Sequence, residues 1–222
     1  AAFFKKYQAL VMIGLYITGI VLGIIVALIL KNTAFRGKPV PFVMELPNYR
    51  LPSAKSVGLL LWDKAKDFIQ RAFTVIFFAT IIIWFLETFD AKLNVVKDSS
   101  DSLLALIGQA ISPIFKPLGF ADWRVTTSLI SGFTAKEAVV STMAVLMNTS
   151  TANLGTALSG AFSTLSALSF LVFTLLYTPC VAAVATIKRE LDSRIQTVGV
   201  VIMQCMVAWL CGCAVYQIGA LL

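Results

Sequence analysis

The feature that most constrains this chain is its long stretches without charge. Residues 7–30, 72–86, 138–187 and 195–222 contain no Asp, Glu, Lys or Arg. A helix that crosses a bilayer needs about 20 mostly apolar residues. Only 13% of the 222 residues are charged, against about 25% in ordinary soluble domains, so water cannot cover the apolar surface of this chain. We therefore predict an all-α polytopic membrane protein.

The expected number of complete membrane spans is roughly four or five. A cluster of turn-forming residues over 148–155 divides the longest uncharged stretch. The hydrophobic segment 103–114 is shorter than a span and contains Pro113. This segment is either part of a broken helix or a re-entrant loop, and the sequence leaves that choice open. The fold is thus expected to be a helical bundle with broken or re-entrant helices.

Basic residues concentrate after the first span. Residues 31–71 contain eight Lys or Arg against three Asp or Glu, which is typical of a cytoplasmic segment. We divide the chain into a first transmembrane helix (1–34), a cytoplasmic segment (35–71) and a larger membrane unit (72–222). Nucleic-acid binding is not expected, because membrane flanks explain the net charge of +7 and no basic reading surface is visible.

The cytoplasmic segment has two parts. Four prolines over 39–52 exclude a helix and favour a stiff, extended track. This track carries Glu45, Tyr49 and Arg50 as docking groups. Residues 55–71 show apolar side chains at helical spacing, which predicts an amphipathic surface helix that runs straight into the next span. That helix either transmits movement from a cytoplasmic module or is a plain interfacial anchor.

A charged pair interrupts the apolar stretch 125–147. Lys136 and Glu137 are costly within a span unless they face a cavity or each other. We expect Thr134, Glu137 and Ser141 to share one face of a helix, because they are three and four residues apart. A polar stripe with one carboxylate is suited to a cation path. The alternative is that Glu137 lies near an interface and pairs with a neighbouring base.

A second interruption is predicted where Tyr177, Thr178, Pro179 and Cys180 follow one another. Pro179 has no amide hydrogen and clashes with the carbonyl four residues earlier, so the helix should break or kink. In transporters, such breaks place free backbone groups at substrate sites. Carbonyl oxygens, the Thr178 hydroxyl and the Cys180 sulfur together suit a borderline divalent cation better than sodium or calcium. A purely structural proline kink is the alternative.

Four longer motifs include these features. They are PFVMELP with YRLP over 41–52, DWR over 122–124, GFTAKEAVV over 132–140, and LYTPCVA with ATIKRE over 176–190. In this order they closely resemble the ferrous iron transport protein B family. The resemblance covers nearly the whole chain, as the C-terminal half of that family's membrane domain. Asn48 departs from the pattern, because a second proline is expected there.

The resemblance implies a multi-pass importer of Fe²⁺ in the bacterial inner membrane, with a gate-type fold of two related halves. It implies that GTP, with Mg²⁺, is hydrolysed by a cytoplasmic domain outside this chain, so the chain itself is not expected to be an enzyme. The implied partners are the lipid bilayer, that GTPase, the first membrane half, a small cytoplasmic accessory protein and further copies of the same protein.

The resemblance implies that Thr178, Pro179 and Cys180 form the Pro-Cys element of the second half. We expect Cys180 to contact the metal, with Thr178 and the opened backbone as auxiliary oxygens and Glu137 as a carboxylate behind these ligands or along the path. The Pro39–Pro52 track, with Glu45, Tyr49 and Arg50, and the Lys55–Arg71 helix would couple the pathway to the GTPase. The remaining residues of the helix break and the pathway would be Tyr177, Pro179, Thr134 and Ser141.

Two other functions stay open at this point. A gate-type carrier of an organic solute such as a nucleoside would need polar, aromatic-lined space. A non-transporting scaffold subunit would keep only the packing faces. The residue types do not separate Fe²⁺ from other divalent metals or a channel from a carrier, and they leave open the oligomeric state and whether the chain is a fragment or a separate subunit.

Overall fold

The structure, a computed structural model, describes Phe3 and residues 7–33, 53–96, 98–177 and 180–221. Two short 3-10 turns in these parts of the chain cover Ser99–Asp101 and Ser112–Leu118. The same parts form nine α-helices, which are α1 (Gln8–Asn32), α2 (Ala54–Thr88), α3 (Leu103–Ile111), α4 (Trp123–Ser131), α5 (Ala138–Leu146), α6 (Leu154–Ala161), α7 (Thr164–Leu176), α8 (Val181–Leu191) and α9 (Arg194–Leu221).

Helix α1 is an apolar helix that touches the rest of the molecule along one narrow face. Half-buried residues recur on it every three or four positions from Val11 to Leu30. Gly19 lies on this row, where a Cβ atom would come within 3.6 Å of Leu175 on α7. The other faces are exposed, and Tyr16 retains 70% of its accessible surface. A helix that is apolar on all sides and exposed in this way belongs in lipid.

Helix α2 is longer than a membrane span. It begins at an N-cap in which the Ser53 side chain accepts a hydrogen bond from the Ser56 amide at 3.2 Å. With 35 residues and a rise of about 1.5 Å per residue, it measures about 52 Å, against about 30 Å for a hydrocarbon core. The helix is continuous from Ala54 to Thr88. The segment predicted to be amphipathic therefore leads into the apolar segment without a turn.

An aromatic core holds the shorter helices together. The ring of Phe115, in the second 3-10 turn, lies 5.4 Å from that of Phe120 and 5.2 Å from that of Phe173. Phe173 in turn stacks on Tyr177 with 5.5 Å between ring centroids. Helix α4 runs through this region with most of its side chains buried, including four hydroxyl residues, Thr126, Thr127, Ser128 and Ser131. A buried helix with so many hydroxyls is positioned to line a polar site.

The prediction of an all-α polytopic membrane protein with broken helices is confirmed. Among the described residues, three helices (α1, α2 and α9) are long and apolar enough to cross a bilayer. Two helix pairs pass the same test together but are sharply bent, namely residues 103–118 with α4 at 106° and α6 with α7 at 115°. The segment 103–114 lies in the first of these pairs, where a 3-10 turn with Pro113 follows α3, and the bent pair is compatible with a broken span and with a re-entrant loop.

Within the described residues, the number of candidate spans is three when single helices are counted and up to five when each bent pair counts as one span, a range that includes the expected four or five. The uncharged stretch 138–187 does divide at the predicted turn, since α5 ends at Leu146 and α6 begins at Leu154. Four short helices, α5 to α8, begin in this stretch, and α6 is bent by 115° against α7, so that this pair can count as one span. One physical reason for this bend is the capping residue Ser163, whose side chain accepts a hydrogen bond from the Ser166 amide at 3.1 Å and starts α7 in a new direction.

Candidate functional site

Two interruptions of helical structure meet at one place in the molecule. The first separates α4, which ends at Ser131, from α5, which begins at Ala138. The second separates α7 from α8, at the position predicted from Pro179, although Thr178 and Pro179 themselves lie outside the described residues. The two are joined by a backbone hydrogen bond in which the Val181 amide donates to the Phe133 carbonyl at 2.9 Å.

The Lys136 ammonium occupies the carbonyl end of α7. Its Nζ donates to the Thr174 carbonyl at 3.1 Å and to the Tyr177 carbonyl at 3.3 Å. The same nitrogen lies 4.7 Å from the centre of the Tyr177 ring. The last carbonyls of a helix have no partner within the helix, and an aromatic face attracts a cation. The break is therefore a cation-binding cradle, and in this conformation it holds the ammonium of the protein itself.

Tyr177 and Gly132 fix the distance between the two interruptions. Tyr177 is 7% exposed, and its hydroxyl has no hydrogen-bond partner among the described residues. A Cβ atom on Gly132 would lie 2.8 Å from that hydroxyl oxygen and would collide with the Val139 side chain. Only a residue without a side chain allows the turn after α4 to approach Tyr177 this closely.

Cys180 lies at the N-cap of α8. Its backbone is extended, with φ −58° and ψ 161°, and its thiol is free and half-buried. Lys136 is within electrostatic reach of this sulfur, and the positive end of the α8 dipole is adjacent to it. Cys180 is three residues along the chain from Tyr177, whose carbonyl belongs to the cradle. Over the described residues, no group of three or more His, Cys, Asp or Glu is arranged to hold a metal ion.

The predicted stripe of Thr134, Glu137 and Ser141 on one helix face is wrong. Because the helix ends at Ser131, Thr134 lies in the turn, where its hydroxyl donates to the Ser131 carbonyl at 2.7 Å. Glu137 is exposed at the N-cap of α5, and Ser141 lies one turn into that helix. The physical reason is tertiary, since the turn pairs with the start of α8.

The docking groups Glu45, Tyr49 and Arg50 lie outside the described residues. An ion pair joins the N-terminal half of α2 to the last turn of α8. Arg189 of α8 donates to the Asp67 carboxylate of α2 at 3.2 Å. Sequence reasoning missed this ion pair, and it also missed Lys136 as a site residue, although a lysine in an apolar stretch was a signal for it.

The fold, together with the two helix interruptions that lie side by side, defines a class of protein. The class is the multi-pass helical membrane domain with interrupted helices. The gate family, described as nucleoside recognition, matches residues 69–194, and the C-terminal region of ferrous iron transport protein B matches residues 12–64. The chain belongs to the ferrous iron transport protein B family.

Curated relatives agree with this assignment. A protein of Staphylococcus aureus (strain MSSA476) named Fe(2+) transporter FeoB is 36% identical over 219 residues, covering 99% of this chain and 33% of the relative. A protein of the same name from Methanocaldococcus jannaschii is 35% identical over 197 residues, covering 86% of this chain and 29% of the relative.

A third relative carries a second unit in the same polypeptide. It is the Fe(2+) transport protein A/Fe(2+) transporter FeoB fusion protein of Porphyromonas gingivalis, 32% identical over 268 residues, covering 99% of this chain and 32% of the relative. The chain thus spans about a third of the length of these relatives. No solved structure matches it significantly.

Proposed function

We propose that this chain is part of the membrane domain of a GTPase-coupled Fe²⁺ importer and forms half of the ion pathway. The observation that carries the proposal is the cradle at the break. Two main-chain carbonyls and an aromatic face bind a cation, which is the Lys136 ammonium, and the free thiol of Cys180 follows three residues after Tyr177. The names of the relatives point to Fe²⁺ as the transported substrate.

Cys180 is the proposed metal-contacting thiolate. Soft sulfur ligands combined with oxygens select borderline transition metals over Na⁺, Ca²⁺ and Mg²⁺. The main-chain carbonyls and the Thr178 hydroxyl would supply oxygens, and Glu137, exposed beside the same turn, would attract the ion. For the metal to enter, the Lys136 ammonium must leave the carbonyls, since two cations cannot share them. In the closed pathway, the Lys136 ammonium therefore occupies the position that the metal would take.

The greater length of the relatives supports further domains in the same polypeptide. We assign GTP binding and hydrolysis to a domain outside this chain, together with a first membrane half, a small cytoplasmic accessory protein and further copies of the same protein. Movement of the GTPase would reach the break through the track with Glu45, Tyr49 and Arg50 and through α2. The ion pair between Asp67 and Arg189 supports this route, because it joins α2 to the helix that begins at the break.

The test is substitution of the sulfur in the full-length protein, reconstituted with its GTPase. We expect Cys180→Ala to reduce Fe²⁺ uptake by at least about tenfold, because a thiolate ligand is lost, and Cys180→Ser to give an intermediate rate. Cys211→Ser is the matched control, since Cys211 is a free, half-buried thiol on α9. Unchanged uptake and metal affinity in Cys180→Ala would rule the thiol out.

A carrier of an organic solute is the second candidate, favoured by the description of the gate family as nucleoside recognition. It predicts that a nucleoside competes with Fe²⁺ for the reconstituted protein, whereas the iron pathway predicts no competition. A non-transporting scaffold, by contrast, would tolerate the simultaneous loss of Cys180 and Glu137 with unchanged uptake.

A further inference from the structure

A polar cleft lies on the other side of α4 from the break. It has a volume of about 180 Å³ and opens where the end of α2, the 3-10 turn at Ser99–Asp101 and α5 come together. One carboxylate and five hydroxyls line it, from Glu87, Ser99, Ser102, Thr127, Ser141 and Thr142. We call this the Glu87 cleft. The side chains of Val145 and Leu146 on α5 complete the wall.

Glu87 is the only charged group in the wall of the cleft. It is the first charge after fifteen uncharged residues, 72–86, in the apolar part of α2. The Ser131 hydroxyl donates to its Oε1 at 3.3 Å, and no described residue forms an ion pair with it. A carboxylate that is exposed to a cavity, without a basic partner in the described part of the chain, is free to bind a cation.

The hydroxyl groups present mainly acceptor oxygens. The Ser141 hydroxyl donates its proton to the Ala138 carbonyl at 3.1 Å, and the Ser102 hydroxyl donates to the Ser99 carbonyl at 2.9 Å. Each hydroxyl has one proton but two lone pairs, so a hydroxyl whose proton is engaged can still bind a cation through oxygen. Oxygen atoms therefore make up the polar lining of the cleft.

Thr127 adds an independent observation at the wall of the cleft. Its side chain is 1% exposed, and its Oγ1 has no hydrogen-bond partner among the described residues. A Cβ atom on Gly108 would collide with this oxygen, so α3 and α4 are in very close contact here. Burying a hydroxyl without a partner is costly. This oxygen therefore marks the tight contact between α3 and α4 behind the wall of the cleft and is out of reach of water in the cleft.

We infer that the Glu87 cleft is a second cation site, which binds a partly hydrated divalent cation through oxygen ligands alone. The inference rests on the proposed function, because it makes the cleft a station on the same ion route. A single carboxylate with neutral oxygens gives a weak site, with a dissociation constant on the order of 10⁻⁴–10⁻³ M. A site of this affinity raises the local concentration of the ion but does not bind it tightly.

The position of Ser131 connects the two sites. Its hydroxyl bonds to Glu87, and its neighbour Gly132 is in close contact with the Tyr177 hydroxyl. The end of α4 therefore separates the oxygen-lined cleft from the carbonyl and sulfur groups at the break. An ion would exchange water and carboxylate ligands in the cleft for sulfur and carbonyl ligands at the break, so the change of ligand type would occur across one turn of chain.

The experiment measures Mn²⁺ binding to the full-length protein by electron paramagnetic resonance, in nanodiscs without nucleotide. All variants carry Cys180→Ala, which removes the sulfur site. We expect Glu87→Gln to weaken Mn²⁺ binding at least about tenfold, because the ligand charge is lost. Asp101→Asn is the control for general electrostatic attraction, since Asp101 is exposed on the neighbouring 3-10 turn but does not line the cleft. We expect it to change binding less than about twofold.

Thr142→Val provides a test that keeps the charge and the shape of the cleft. It removes one oxygen, and we expect binding to weaken about threefold. Binding of Mn²⁺ within about twofold of the parent in both Glu87→Gln and Thr142→Val would overturn the inference. Fe²⁺ uptake in the Cys180 variants remains a separate measurement, so failure of the cleft site and failure of the proposed function give different results.

Discussion

Replacing Lys136 by methionine tests whether the ammonium holds the two interruptions together. The change keeps an unbranched side chain that is one atom shorter and removes its charge, so the carbonyls of Thr174 and Tyr177 lose a donor at 3.1 and 3.3 Å. Hydrogen bonds from a charged donor contribute about 1.5–3 kcal/mol each, and the contact with the Tyr177 ring contributes about 0.5–2 kcal/mol. The cost of removing water from the half-buried ammonium reduces the stabilisation that these three interactions give.

The expected net loss of stability in Lys136→Met is about 2–4 kcal/mol, since the three interactions share one ammonium and are not additive. For a chain of this size the melting temperature changes by about 2–4 °C per kcal/mol, which gives a decrease of about 4–16 °C. Thermal unfolding of the purified protein in detergent, followed by tryptophan fluorescence, measures it.

The matched control is Lys116→Met, because Lys116 is an exposed lysine in the second 3-10 turn. We expect its melting temperature to stay within about 2 °C of the wild type, as for other exposed side chains. If Lys136→Met also melted within that range, the ammonium would not stabilise the break. The account of the closed pathway would then be wrong.

Two further predictions concern packing and pH. Gly132→Ala should destabilise the protein by about 1–3 kcal/mol through overpacking. Gly199→Ala is the control and should not, because a Cβ atom on Gly199 would meet no atom within 4 Å outside its own stretch of helix. Melting curves of both variants measure the difference. Hydrogen bonds from the Asn94 and Lys92 amides hold the pKa of the Asp90 carboxyl below its usual value. The loop at Asp90 should therefore keep its order above the usual carboxyl pKa of about 3.9 and lose it as the pH falls further. Amide hydrogen exchange in this loop measures the change, and Asp90→Asn should abolish the pH dependence.

The helix break at Pro179 illustrates what local chemistry can predict. A proline removes an amide donor and clashes with the preceding turn in any environment, so the interruption between α7 and α8 follows from the sequence. The same holds for the division of the uncharged stretch near Asn148, where small polar residues favour a turn. Both features depend on a few neighbouring residues, and the structure has them where they were expected.

The interruption between α4 and α5 could not be predicted in this way. Residues 132–137 contain no proline, and periodicity alone favours one continuous helix. The turn forms because the Phe133 carbonyl pairs with the Val181 amide and because the Lys136 ammonium bonds to the end of α7. These partners are about 40 residues away, and no local pattern encodes such a contact.

By itself the sequence determined that this chain is a membrane protein, that its helices are broken, and which family it belongs to. These properties depend on hydropathy, proline chemistry and motif order, which are local or additive along the chain. The tertiary structure alone decided that Lys136 fills the carbonyl cradle, that Glu87 faces hydroxyls of α4 and α5, and that Arg189 pairs with Asp67. Each of these depends on side chains distant in sequence, whose approach is set by the packing of whole helices.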